Sequence, residues 1–193
     1  MSTVMVVGAG LMGSGIAQVS AVAGHDVVMR DVNDQALARA GAAIEKSLSK
    51  FADKGVLSTQ DAQAALSRIS TTTELDAAAG ADIVVKAIIE EIDLKTELFA
   101  ELDRIAPEGT ILATNTSTLD VDQIAAATAR PQDVISTHFF SPANIMRLLE
   151  VVRGNAKDHD FAASKVLATR TFPRAELPEG CLPGAQLDVW DRP

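Results

Sequence analysis

Tyrosine is absent from this chain, and cysteine and tryptophan each occur once in 193 residues. Without a phenol, any reaction that needs a tyrosine acid is excluded, Tyr-Lys dehydrogenase chemistry among them. The single thiol, Cys181, closes no internal disulfide and fits a reducing, cytoplasmic setting. Cations are outnumbered: 17 Lys and Arg stand against 26 Asp and Glu, a formal net charge of −9. That balance argues against nucleic acid and anionic membranes as partners. Long hydrophobic runs are scarce too. Val4 to Gly24 carries no charge, but no basic residue precedes it, and Gly8, Gly10, Gly13, Ser14, Gly15 and Gln18 dilute it. A membrane span and a signal peptide are both rejected on that ground. What remains is a globular α/β domain of ordinary size, 47% apolar, with no metal site expected.

The opening residues carry the strongest signal. A short β-type run, Val4-Met5-Val6-Val7, leads into Gly8-x-Gly10-x-x-Gly13, and a helix-compatible pattern follows. This is the dinucleotide-binding fingerprint in its required context of strand, tight turn and helix. Gly8 permits the turn, Gly10 leaves room for backbone to approach a pyrophosphate, and Gly13 lets helix and strand pack closely. The helix start, with Leu11 and Met12, offers unpaired N–H groups to the phosphates. A second strand, Asp26-Val-Val-Met-Arg-Asp31, ends in an acid 23 positions after Gly8, placed for a ribose 2′-hydroxyl. Asp31 favours NAD over NADP because its charge opposes a 2′-phosphate; Arg30 beside it pulls the other way.

Strands and helices continue to alternate. Asn33 caps a long helix with Leu37, Ile44, Leu48 and Phe51 on one face, ending near Lys54-Gly55. Ser58-x-x-Asp61 resembles a capping box for a second helix carrying Ala62, Ala65, Leu66 and Ile69. Together they form a helical hairpin over about residues 34–68, expected to protrude. Lys46, Lys50 and Lys54 recur on one face; a solvated face explains them, and a surface that helps hold a large substrate, with Lys50 in contact, is the sharper reading. Asp82 to Glu90 suits a buried parallel strand, and Leu94, Leu98, Leu102 and Ile105 mark the next helix. Thr110–Thr114 and Val134–Phe140 read as further strands, with a helix over Leu119–Ala127 between them. Glu90, Ser117 and His138 all fall at the C-terminal ends of strands, where ligands sit in doubly wound sheets.

His25 and His159 read as structural or surface groups. His138 differs, because Glu150 follows twelve residues later inside the apolar run Leu148-Leu-Glu-Val-Val152. A carboxylate there is costly unless partnered. A strand–turn–strand return would set it against the imidazole, fixing the tautomer and leaving the other ring nitrogen as a general base.

With these motifs in this order, the chain resembles the NAD-binding domain of the L-3-hydroxyacyl-CoA dehydrogenase family, including bacterial 3-hydroxybutyryl-CoA dehydrogenases. The likeness rests on Val7-Gly-Ala-Gly-Leu-Met-Gly13, Leu112-Ala-Thr-Asn-Thr-Ser117, His138-Phe-Phe-Ser-Pro142 and Met146-Arg-Leu-Leu-Glu-Val-Val152. It implies a Rossmann-type, mostly parallel sheet over residues 1–170, acting on an acyl-CoA in fatty acid metabolism. It implies His138 as catalytic base, Glu150 as its partner, and Ser117 as a donor to the substrate oxygen. Glu90 and Lys95 would lie near the nicotinamide ribose, Asp31 on the adenosine ribose, and Asn115 on the cofactor side. The family's complete proteins are homodimers.

Two departures stand out: Lys86 where relatives usually carry glutamate, and Ser141 where many have asparagine. After about Thr169 the likeness ends. Residues 171–193 hold four of the seven prolines and no usable periodicity, and are expected to be irregular, the product of truncation or a frame shift. The family's C-terminal helical domain would then be absent. Two functions follow: an NAD-dependent 3-hydroxyacyl-CoA oxidoreductase, or a catalytically poor NAD-binding fragment of one. If Asp31 sets cofactor choice, calorimetry will show tighter binding of NADH than of NADPH; equal affinities would remove Asp31 from that role.

Overall fold

The computed structural model describes residues 1–89, 91–116, 120–146, 148–153, 169–171 and 186–190. Its elements run β1 (Thr3–Val7), α1 (Leu11–Val22), β2 (Asp26–Arg30), α2 (Asp34–Asp53), α3 (Thr59–Ser67) and β3 (Ile69–Thr72). They continue with β4 (Ile83–Lys86), α4 (Ile92–Ile105), β5 (Ile111–Thr114), α5 (Val121–Ala125), β6 (Val134–Phe139) and β7 (Leu148–Arg153). Short strands β8 (Thr169–Thr171) and β9 (Gln186–Trp190) close the series. The strand order is β3-β2-β1-β4-β5-β6-β7-β9-β8. Strands from β3 to β6 pair in parallel; β7 runs antiparallel to β6, and β9 and β8 extend that antiparallel edge. The first six strands follow the doubly wound Rossmann order.

Both faces of the parallel sheet are covered, which is why its strands read as apolar runs without alternation. In β1, Val4 and Val6 point into one core with Ile16, Val27, Leu37, Ile44 and Leu48. Met5 and Val7 point into the other, with Val84, Phe99, Leu102, Leu112 and Ile124. The period-two geometry of a strand thus joins the two layers through one element. Among the described residues, no helix is long and apolar enough to cross a membrane.

The helix ends follow local chemistry. The Asn33 side chain accepts from the N–H groups of Gln35 and Ala36, and Ser58 from that of Asp61. Gly55, at φ +69°, takes the left-handed conformation just past α2. One face of the hairpin is packed: Leu37, Ala40, Ile44, Leu48, Ala62 and Ala65 join the core that contains Ile16 and Ala17 of α1. Its two helices are the crossover from β2 to β3. Ile69, expected on the face of α3, instead begins β3. That strand escapes notice because Ile-Ser-Thr-Thr at a half-exposed sheet edge makes no apolar run.

The stretch expected to be irregular contains β9, which pairs antiparallel with β7 on one side and with β8 on the other. His25 is half-buried before β2, and burial lowers its pKa from the usual 6.5. The unfolded chain therefore takes up the proton more readily, so this group's contribution to stability is complete above pH 6.5 and is lost as pH falls through and below it.

Arg130 clamps the end of α4 to the segment after α5. Its guanidinium donates to the carbonyls of Asp103, Ala106 and Pro107 and pairs with the Asp103 carboxylate at 2.7 Å. Asp103 also accepts from the Ala129 N–H at 2.7 Å. The Asp103 and Ala106 carbonyls lie at the end of α4, where a cation is favourable. Arg130→Ala is expected to lower unfolding free energy by about 2–4 kcal/mol in urea titrations, because it leaves buried acceptors and a carboxylate unpaired.

Candidate functional site

Backbone geometry around the glycine turn explains each glycine. Gly8 has φ +112°, and a Cβ there would lie 2.5 Å from the Ala87 carbonyl oxygen. A Cβ on Gly13 would overlap the Gly8 carbonyl oxygen, whereas one on Gly10 would meet nothing within 4 Å. Gly8 and Gly13 are thus needed for packing, and Gly10 keeps open the space a pyrophosphate needs. Leu11 and Met12 form the first turn of α1, with Leu11 exposed. Here the aligned N–H groups and the helix dipole favour an anion.

A cleft of about 600 Å³ opens beside this turn. Gly8, Gly10, Asp31, Ala87, Ile88 and Leu98 are among its walls. Asp31, at the end of β2, accepts from the N–H of Ala9 at 2.8 Å and of Asn33 at 3.1 Å. It therefore braces the glycine turn while facing the cleft. Open space at Gly10, a helix N-terminus and a carboxylate one strand away fit a dinucleotide bound through pyrophosphate and ribose. Arg30 lines the same cleft, but its Nε donates to the Thr73 carbonyl at 3.1 Å.

The second half of the site lies where the sheet changes direction. In the β6–β7 ladder His138 stands directly opposite Glu150. His138 Nδ1 lies 2.7 Å from Glu150 Oε2. Glu150 is only 7% exposed, so the imidazole is the partner that a carboxylate in an apolar strand requires. With Nδ1–H donating to the carboxylate, Nε2 becomes the ring's acceptor. The Phe140 ring lies 4.7 Å from the imidazole, centroid to centroid, tilted by 42°. Asn115, just after β5, accepts from the Phe139 N–H at 2.8 Å and so ties β5 to the strand end that carries His138.

Other expected residues are placed as follows. Lys95 is buried in α4, at 1% exposure, and Lys50 lies exposed on α2. Glu90 and Ser117 lie outside the described residues. Lys86 is buried at the end of β4, with its ammonium 5.7 Å from the centre of the Phe99 ring, a distance at which a cation is attracted to the π face.

Sequence reasoning missed the seat of the loop that follows β6. Gly15 lets that loop approach α1, since a Cβ there would lie 3.0 Å from Ala143 Cβ. The Asn144 amide donates to Ser47 Oγ on α2 at 3.0 Å and to Gln18 Oε1 on α1 at 3.4 Å. A second glycine within α1, Gly15, was the available signal for the first contact. Nothing local marks Asn144.

The 3-hydroxyacyl-CoA dehydrogenase NAD-binding domain model matches residues 3–174. A probable 3-hydroxybutyryl-CoA dehydrogenase of Bacillus subtilis is 42% identical over 181 residues, covering 94% of this chain and 63% of that protein. The 3-hydroxyadipyl-CoA dehydrogenase of Escherichia coli is 41% identical, covering 80% of this chain and 32% of the relative. Among solved structures, (S)-3-hydroxybutyryl-CoA dehydrogenase from Ralstonia eutropha superposes with a TM-score of 0.77 at 41% identity, covering 80% of this chain and 55% of that one. The chain thus spans about a third to two thirds of the length of these relatives.

Gly13→Ala should abolish NADH binding measured by fluorescence titration, since the added methyl displaces the turn that Asp31 braces. Binding of NADH at the original affinity would show that the turn is not the pyrophosphate seat. By the extent of the family match and the geometry of the turn, this chain belongs to the 3-hydroxyacyl-CoA dehydrogenase NAD-binding domain family and takes NAD as its cofactor.

Proposed function

We propose that residues 1–170 form the dinucleotide-binding part of an enzyme that interconverts 3-hydroxyacyl-CoA, such as 3-hydroxybutyryl-CoA, and the 3-ketoacyl-CoA. The observation that carries this reading is the 2.7 Å His138–Glu150 contact across β6 and β7. The names of the relatives support the substrate class. Gly8, Gly10, Leu11, Met12, Gly13 and Asp31 would hold the pyrophosphate and adenosine ribose; Lys95, Asn115 and Glu90 would lie toward the nicotinamide end. Bound NAD supplies the acceptor for a hydride.

The protein's own part is proton transfer and placement. In the oxidative direction the substrate hydroxyl gives its proton to His138 Nε2 as the C–O bond becomes C=O. Glu150 holds the Nδ1–H, so the ring is oriented before reaction and the imidazolium is stabilised after it. In the reductive direction the same nitrogen returns the proton. Ser117 would hydrogen-bond the reacting oxygen, and Lys50 would meet the CoA. A cytoplasmic location and a homodimer of the complete protein are the finer readings, resting on the single thiol and on resemblance.

The test is acetoacetyl-CoA-dependent NADH oxidation, measured on this chain and on a chimera in which residues 1–153 replace the equivalent part of the Bacillus subtilis relative. In the chimera His138→Gln should abolish most turnover and leave NADH affinity within about twofold of the parent, because the base is removed and the glycine turn is not. Glu150→Gln should lower turnover by about 10²–10⁴-fold, the range of acid–base catalysis. Near-parental turnover in the His138 variant would falsify its role as base.

A further inference from the structure

The cleft that Asp31 lines is walled in part by α4. Leu94, Glu97, Leu98 and Glu101 all line it. Their spacing of three and four residues puts them on a single helical stripe. Glu97 and Glu101 are exposed and stand at the edge of the cleft. With Asp31, three carboxylates border the cleft, and Arg30 is the single cation among its described lining residues. Arg30 is not free to act as a phosphate clamp with its whole guanidinium. Its Nε is spent on the Thr73 carbonyl beyond β3.

Asp31 is also less potent a repellent than its position implies. Both of its oxygens accept backbone N–H groups, from Ala9 and from Asn33. Those donors offset part of the carboxylate's negative potential. A second source of negative potential facing the adenosine ribose would therefore carry weight in discrimination.

We propose that Glu97 and Glu101 are specificity-determining residues, which reject a phosphate at the adenosine 2′ position and so extend the choice of NAD over NADP across the cleft to α4. The inference rests on the dinucleotide occupying this cleft with its adenosine ribose at Asp31. The physical basis is the charge difference between the two cofactors. Both carry the pyrophosphate, so repulsion of that group cancels in a comparison. Only NADPH adds a phosphate monoester, about −1.5 to −2 charges near neutral pH. At the open edge of a cleft each carboxylate acts through solvent, so the effect is modest and salt-sensitive.

The experiment is fluorescence titration of the purified chain with NADH and with NADPH, at about 20 mM and about 500 mM salt, spanning Debye lengths from long to short. In Glu97→Gln/Glu101→Gln the affinity for NADPH should rise relative to that for NADH by about fivefold at low salt, and the gain should shrink at high salt. Glu101→Lys should move the ratio further the same way. These positions are exposed, so the variants retain the core. A ratio of affinities that stays fixed at low salt, including equal tightening of both cofactors, overturns the proposal. A parent chain that binds no NADH overturns it together with the cofactor site. A chain that binds NADH but supports no acyl-CoA turnover refutes the dehydrogenase reading alone, and the affinity ratio still decides this one.

Discussion

The contact between α1 and the turn after β1 constrains everything built around it. Gly13 lies so close to the Gly8 carbonyl that no side chain fits, and Gly8 itself lies against Ala87 at the end of β4. Three elements therefore meet backbone to backbone at the carboxyl end of the sheet. That meeting aims the first N–H groups of α1 into the cleft and sets Gly10 over open space. It also brings Asp31 within 2.8 Å of the Ala9 N–H, because β2 lies beside β1 in parallel register. The seat proposed for the cofactor is a consequence of packing rather than a feature added to it.

The second constraint is the reversal at β7. A parallel neighbour for β6 would require a crossover, and the residue opposite His138 would come from a distant segment. An antiparallel return needs only the short loop from Phe140, so a strand twelve residues on sets Glu150 directly across the ladder. Sheet hydrogen bonds then orient the dyad at low entropic cost. The return loop is itself fastened to α1 and α2 through Ala143 against Gly15 and through Asn144. Helix packing that serves the glycine turn at one end of α1 thus also seats the loop that follows His138.

What could be read from the chain follows from how local the physics is. The glycine turn was legible because each glycine answers a steric demand within a few residues. The His138–Glu150 pair was legible for a different reason: a carboxylate in an apolar strand states its need for a partner, and only one strand return was close enough. The capped ends of α2 and α3 were legible through Asn33, Ser58 and Gly55. The hairpin's resting place was not, since an amphipathic helix announces an apolar face without saying what covers it. β3 was hidden by its edge position, and β9 by the prolines around its alternating residues. Arg130 gave no sign of its role, because its acceptors are main-chain carbonyls 23 or more residues away.

Carboxylates do most of the electrostatic work here, and the environment of each decides what it does. Glu150 is buried and answered by an imidazole, so its charge orients a proton. Asp103 is answered by Arg130 and holds helices together. Asp31 is answered by two backbone N–H groups, so it braces a turn while keeping a face for ribose hydroxyls. Glu97 and Glu101 border the cleft in solvent, where a charge acts weakly over distance rather than strongly in contact. A net charge of −9 is thus no uniform coat: on the proposed reading, burial and partners divide its carboxylates into a catalytic, a structural and a selective share. Adding anionic surface strengthens only the last, because the first two depend on a specific donor at hydrogen-bond distance. Changes in surface charge should therefore be free to tune cofactor choice while leaving the His138–Glu150 geometry and the α4 clamp as they are.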